Sequence, residues 1–185
     1  MGTHYFLAVR IPEQLAEQMH QQFVHDESLQ FGRWVHPLDY HITLAFLGEP
    51  DTEEQLLQLT EDLTDKINKQ EFTLKVSETG TFGAEESPRI FWAGVNHSEA
   101  LAELREMVYQ SCLHNGFKLD KRPFKPHITA ARKWTGRRPY EGPSGKLPEM
   151  ATFSVRSVEL LETRMEDTPK YKTIRSFRLK GKQNG

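Results

Sequence analysis

Apolar positions along this chain recur with two periods, and the switches between them mark out its elements. "YFLAVRI" at 5–11 is a short, almost continuous apolar run that predicts a strand. Pro12 then opens a stretch rich in Glu and Gln that predicts a helix over 13–25. "DYHITLAFLG" at 39–48 alternates with period two and stops at Gly48-Glu49-Pro50, which predicts a second strand. Leu56, Leu59, Leu63 and Ile67 fall at three-and-four spacing behind Thr52, the pattern of a capped helix over 53–68. "EFTLKVSETGTF" at 71–82 and "RIFWAGV" at 89–95 read as strands joined by a polar turn containing Pro88. Ser98 begins a helix that ends near 114, before Asn115-Gly116. A short strand follows at 127–132. Residues 133–150, dense in Gly and Pro, predict a loop, ordered or mobile. "TFSVRSVELLETRM" at 152–165 and "YKTIRSFRLK" at 171–180 supply two final strands. The organisation expected is one bilobal domain over 1–180 with a frayed tail at 181–185.

Two of these strands carry the same tripeptide. "HITLAF" at 41–46 returns as "HITAAR" at 127–132. One loose His-x-Thr is within reach of composition alone, but two copies that also share the central Ile are hard to obtain by accident. Each half of the chain mixes strands with helices and gives one such strand. The expected fold class is therefore α+β: two pseudo-symmetric lobes of antiparallel sheet, helices outside, and a central cleft bearing both motifs.

Alternation along a strand gives the motif chemical content. Side chains at i and i+2 share a face, so His41, Thr43 and Ala45 point one way while Ile42, Leu44 and Phe46 face the core. His127, Thr129 and Ala131 repeat this around Ile128. Two imidazoles across a cleft form an acid–base pair that titrates near neutrality. The two hydroxyls could donate to the non-bridging oxygens of a phosphate. In-line displacement at phosphorus needs those roles. No carboxylate–histidine cluster of ligand spacing lies beside the motifs, so no metal is expected.

Composition and charge narrow the setting. At 185 residues, with 27% charged and 37% hydrophobic residues, the chain fits a soluble globular protein large enough to bury a core. The start shows no signal-peptide pattern, apolar runs are too short to cross a bilayer, and Cys112 is the single cysteine. A cytoplasmic protein without disulfides is expected. The net charge of −2 hides a division: residues 49–65 carry seven acids and no Lys or Arg, whereas 118–138 carry eight bases against Asp120 alone. The acidic run reads as a solvated face. The basic one encloses the second motif and could attract a phosphate-bearing ligand.

The chain resembles the 2H phosphoesterase superfamily, and within it the RNA 2′,3′-cyclic phosphodiesterases, also called 2′-5′ RNA ligases. The resemblance rests on "FLAVRIPEQL", "GRWVHPLDYHITLAFLG", "PRIFWAGV", "KRPFKPHITAAR" and a late "ETRM…YKTIRSF". It implies a bilobal fold and opening of an RNA 2′,3′-cyclic phosphate to a 2′-phosphate. It also implies weak reversible 2′-5′ joining and no metal or nucleotide cofactor; no membrane is expected, and no protein partner is implied. RNA ends or small cyclic phosphates are then the partners. A phosphodiesterase for a small cyclic nucleotide or an ADP-ribose cyclic phosphate is the alternative within this chemistry, and a non-catalytic RNA-binding module is the alternative outside it. Where family members often carry Glu-Asn, this chain has Leu38-Asp39.

Asp39 and Lys125 each lie two residues before a motif histidine, which on a strand places them on its face. A carboxylate favours imidazolium and an ammonium disfavours it, so His41 is expected as proton donor and His127 as proton acceptor. The family's usual assignment runs the same way. Thr43 and Thr129 complete the catalytic set. Substrate contacts are expected from Lys125, from Phe82 as a stacking candidate and from Arg132, which matches the arginine closing the family's second motif. By strict alternation Arg132 points away from His127 and reaches phosphate only where the strand ends or bulges. Trp34 and Trp92 are further stacking candidates, with core packing as their other reading.

Overall fold

The computed structural model describes residues 2–149 and 151–182, so of the expected tail 183–185 lie outside the described residues. Among the described residues nine strands and three α-helices run in the order β1 (Tyr5–Arg10), α1 (Glu13–Val24), β2 (Phe31–Trp34), β3 (His41–Gly48), α2 (Glu53–Lys66), β4 (Phe72–Gly83), β5 (Pro88–Val95), α3 (Glu99–His114), β6 (His127–Trp134), β7 (Thr152–Val155), β8 (Ser157–Thr163) and β9 (Tyr171–Arg178). The fold is α+β and every strand pairing is antiparallel. Among the described residues no helix is long and apolar enough to cross a membrane.

Local chemistry explains most of the element boundaries. The Thr52 hydroxyl accepts from the Gln55 N–H at 3.1 Å and caps α2, and Ser98 does the same for Leu101 at the start of α3. β3 ends at Gly48, whose φ of +67° is disfavoured for any residue with a Cβ. Most boundaries shift by one or two residues, β6 running on to Trp134 at the start of the predicted loop, and three departures from the pattern go further. Asp39 and Tyr40 are not in the strand, because Pro37–Asp39 form a 3₁₀ turn capped by the His36 ring. The run at 152–165 is two strands, since β7 pairs with β4 while β8, one residue later, pairs with β1 and β9. β2, "FGRW", has no period of its own and exists through its pairing with β6.

The strands follow the order β7-β4-β5-β6-β3-β1-β8-β9, with β2 also on β6. The order reads outward from the β6/β3 junction as two matching halves. The halves are not consecutive stretches of chain, because β8 and β9 return to β1 and complete the half that holds β3. At the junction Ile42 pairs with Ile128, both fully buried. Burying such a side chain stabilises by about 1.5–3 kcal/mol. The helices bury Leu15, Met19 and Phe23, then Leu59 and Leu63, then Leu101, Leu104 and Val108 in one core shared with Ile42 and Ile128. A separate small cluster of Phe6, Ala8, Leu161 and Tyr171 lies on the other face of the sheet.

The segment after β6 is tied down rather than free. The Asp26 carboxylate accepts from the Ser144 and Gly145 N–H groups at 2.8 Å each and from the Ser28 and Ser144 hydroxyls. Burial alone would raise the Asp26 pKa. The hydrogen bonds outweigh it and hold the carboxyl well below its usual range. This anchor is complete above the ordinary carboxylate pKa of about 3.9 and is lost as pH falls through the depressed folded value. Asp26→Ala is expected to destabilise by about 1.5–3 kcal/mol, the range for hydrogen bonds to a charged group. Amide hydrogen exchange at Ser144 and Gly145 should accelerate first. Unchanged exchange at both would contradict the anchor.

Candidate active site

Both motif strands carry the same irregularity at the same place. Along β1, Leu7 pairs with Ala45 and Ala8 with Thr43, so Leu44 is an extra residue in β3. Along β5, Phe91 pairs with Ala131 and Trp92 with Thr129, so Ala130 is an extra residue in β6. A bulge inverts the alternation that follows it. Ala45 and Ala131 therefore turn into the core, at 5% and 0% exposure, instead of sharing the histidine face as strict alternation predicts. Phe46 and Arg132 turn out onto that face. Phe46 lies opposite Phe6, whose ring is 5.0 Å from that of His41. Arg132 lies opposite Ile90 and Arg33.

The antiparallel register at Ile42/Ile128 sets the motifs head to tail. It brings His41 beside Thr129 and His127 beside Thr43, related by a local two-fold axis through the isoleucine pair. Each imidazole is fixed by the same bond. His41 Nδ1 lies 2.7 Å from the Asp39 carbonyl oxygen, and His127 Nδ1 lies 2.7 Å from that of Lys125. A carbonyl only accepts, so both Nδ1 atoms carry the proton and the Nε2 atoms are left as acceptors. At His41, Nε2 accepts from the Thr43 hydroxyl at 3.0 Å.

The surroundings of the two rings correct the expectation drawn from Asp39. Burial against Phe6 and Tyr171 lowers the His41 pKa to about 4, against the opposing bond to the Asp39 carbonyl, with the Arg10 charge lowering it further. The Asp39 side chain, 4% exposed, accepts from the Lys170 and Tyr171 N–H groups and pulls only weakly on the ring. His41 in the free protein is therefore neutral at pH 7. Burial also lowers the His127 pKa against the opposing bond to the Lys125 carbonyl, and the charges of Lys125 and Arg132 add to the lowering.

The expected substrate-contact residues gather beside His127. Lys125 lies in the segment before β6, not on the strand, with its ammonium 4.8 Å above the Trp92 ring and 5.4 Å from that of Phe82. Phe82 sets its edge on His127 at 4.9 Å and 89°. Trp92 is a wall of the site rather than an open platform, being 5% exposed; Gly80 is required because a Cβ there would enter the Trp92 ring. Trp34 pairs with core-facing Ala131 and packs near Phe31, so it is not a site residue. Sequence reasoning missed Arg10 and Tyr171. Arg10 donates to the carbonyls of Leu38 and Tyr171 at 2.8 and 2.6 Å, and Tyr171 turns its ring edge to His41 at 5.1 Å. A charge closing the apolar run of β1 was the one available signal. Among the described residues no group of three His, Cys, Asp or Glu side chains is arranged to hold a metal ion.

Comparison with known proteins gives concordant matches. The model of the 2′-5′ RNA ligase superfamily matches residues 11–166. A Geobacillus stearothermophilus protein named RNA 2′,3′-cyclic phosphodiesterase is 46% identical over 99% of this chain, which spans 59% of that relative's length. A Bacillus subtilis protein of the same name is 38% identical, over 95% of this chain and 96% of its own. Escherichia coli LigT, in a crystal structure with 3′-AMP, superposes with a TM-score of 0.81 at 25% identity over 97% of this chain and 99% of that one.

The ring environments make a direct expectation. In an NMR pH titration of the free protein, His41 should stay neutral until about pH 4, with Nδ1–H as its tautomer. Because its folded pKa lies below the ordinary 6.5, protonation of the unfolded chain should erode stability as pH falls from about 6.5. A His41 titrating at or above 6.5 would overturn this account of its burial.

Proposed function

This chain belongs to the 2′-5′ RNA ligase superfamily, and from that membership and its site we propose that it is an RNA 2′,3′-cyclic phosphodiesterase releasing a 2′-phosphate. The observation that carries the reading is the pair of imidazoles whose Nε2 atoms are left as acceptors, set beside two hydroxyls across the Ile42/Ile128 axis.

The chemistry follows from those atoms. A cyclic phosphate brings a negative charge between the rings, which raises the pKa of each. His41 takes up a proton at Nε2 and is the acid, and His127 accepts a proton at Nε2 and is the base, the order that the family's usual assignment gives. Water gives its proton to His127 Nε2 and attacks phosphorus in line with the P–O3′ bond. That bond breaks, its electron pair passes to O3′, and His41 supplies the proton. Thr43 and Thr129 donate to the non-bridging oxygens, and Arg132 adds charge as they become more negative. A 5′-hydroxyl in the place of water gives a 2′-5′ bond by the same steps, and the reverse cleaves it. No step calls on a metal or a cofactor. A cytoplasmic setting fits a chain whose single cysteine, Cys112, is a buried free thiol.

The test is turnover of a short RNA ending in a 2′,3′-cyclic phosphate, with EDTA present. His41→Ala and His127→Ala should each lose ~10²–10⁴-fold in kcat/KM, the usual cost of removing an acid or base. Turnover of small cyclic nucleotides or ADP-ribose cyclic phosphate but not RNA would move the substrate class. RNA binding with no turnover of any of them would make the chain a binding module.

A further inference from the structure

β6 leads out of the reaction centre towards a second feature that the mechanism does not use. From Thr129 to Trp134 the strand covers about 15 Å. Beyond it the chain is tied back to the residue before β2: the Thr135 N–H and hydroxyl both donate to the Gln30 carbonyl, at 2.8 and 3.0 Å. Trp134 Nε1 donates to the Arg138 carbonyl at 3.1 Å, and the Tyr140 N–H to the Glu86 carbonyl at 2.9 Å. With the Asp26 anchor, these bonds fix the walls of a cleft of about 450 Å³. Its lining includes Ser28, Gln30, Trp134, Thr135, Arg137 and Arg138.

The charge in this cleft has no internal use. Arg137 and Arg138 are exposed in its wall, and Glu141 is the one acid of the lining. Arg33, also exposed, stands opposite Arg132 across β2 and β6, so positive charge continues from the reaction centre towards the cleft. Among the described residues Arg33, Arg137 and Arg138 have no carboxylate at ion-pair distance, whereas Arg122, Arg156 and Arg164 each face an acid. An unpaired guanidinium presents a planar fork of donors that matches two phosphate oxygens. Lys133, at the turn between the two places, holds φ at +66°, a strain that clusters at ligand-binding positions. The Trp134 ring is taken up by Phe31, Tyr140 and Gly136. The cleft therefore offers cations and not an open face for a base.

Resting on the phosphodiesterase reading above, we propose that the cleft beyond β6 is a separate site for the RNA backbone, engaged upstream of the end whose cyclic phosphate is opened. Arg137 and Arg138 bind backbone phosphates there, and Arg33 lies along the way. Contacts of this kind position a strand without reading its bases. They make an RNA that reaches the cleft a better substrate than a bare cyclic nucleotide, through KM and not through kcat.

The test compares a short RNA ending in a 2′,3′-cyclic phosphate with adenosine 2′,3′-cyclic phosphate, which is too small to reach the cleft. Arg137→Ala combined with Arg138→Ala should raise the KM of the RNA roughly 5- to 30-fold at low salt, the effect of two exposed charge contacts. Its kcat should not change, and the cyclic nucleotide should be opened as by the parent. Trp134 bonds to the backbone of Arg138, so this variant should also melt like the parent. The slope of log affinity for RNA against log salt should become shallower by about 1.4, the share of two phosphates on a single strand. Lys118→Ala combined with Lys121→Ala removes the same charge from the exposed segment before β6 and should keep the RNA KM within about twofold of the parent. Equal losses in the two double variants, an unchanged salt slope, or an equal loss on the cyclic nucleotide would overturn the proposal. Fluorescence anisotropy with a 3′-hydroxyl RNA reads the same pattern in Kd without turnover. The phosphodiesterase reading fails by a different result, a wild-type protein that opens neither substrate, and the anisotropy pattern then still decides the cleft.

Discussion

The backbone pairing of Ile42 with Ile128 is the constraint on which the rest of the site depends. It is the register joining the two halves of the sheet, and it places four side chains from strands 86 residues apart within one reaction centre. A slip of one residue would send His41 and Thr43 into the core and bring the isoleucines out, at the cost of several buried apolar side chains. The hydrophobic effect acting on two isoleucines therefore fixes the distance between the two imidazoles. The bulges one residue past each Thr extend this control. They return the strands to core packing at once, through Leu44 and Ala45 and through Ala130 and Ala131, and free the following position for function.

Burial is set against charge throughout the site. The imidazoles sit among aromatic rings, and this burial lowers the pKa of each. Arg10, Lys125 and Arg132 add positive charge around them. In the proposed mechanism the cations that depress the free histidines favour the phosphate-bound state, and the acid forms as the leaving group arrives. Asp39, which by its sequence position should have charged His41 beforehand, is instead used to hold the backbone at Lys170 and Tyr171. Its carbonyl, rather than its carboxylate, acts on the ring.

Much of this was legible in the residues. The helices at α2 and α3 start where Thr52 and Ser98 cap them, and both motifs lie on strands. What stayed hidden depended on pairing between distant segments. β2 has a Gly and an Arg in four residues and becomes a strand only against β6. The bulges carry no local signature, since Leu44 and Ala130 are ordinary strand residues, and without them Phe46 and Arg132 are assigned to the wrong face. Arg10 and Tyr171 reach the site through β1 and β9, whose neighbours in space are far away in sequence. Local periodicity describes one strand at a time, and the site is a property of several.

The strand order also has a consequence for how the chain is made. The half that holds His127 draws its main strands from β4 to β7 and is fully synthesised by Val155. The half that holds His41 begins with β1, ahead of every other element, yet lacks β8 and β9 until all the other elements have been made. Until then β1 has one open edge and an apolar surface without its final cover, the kind of exposure that invites wrong partners. The lobe begun first is the last to close, and the candidate site is complete only with the β8–β9 hairpin.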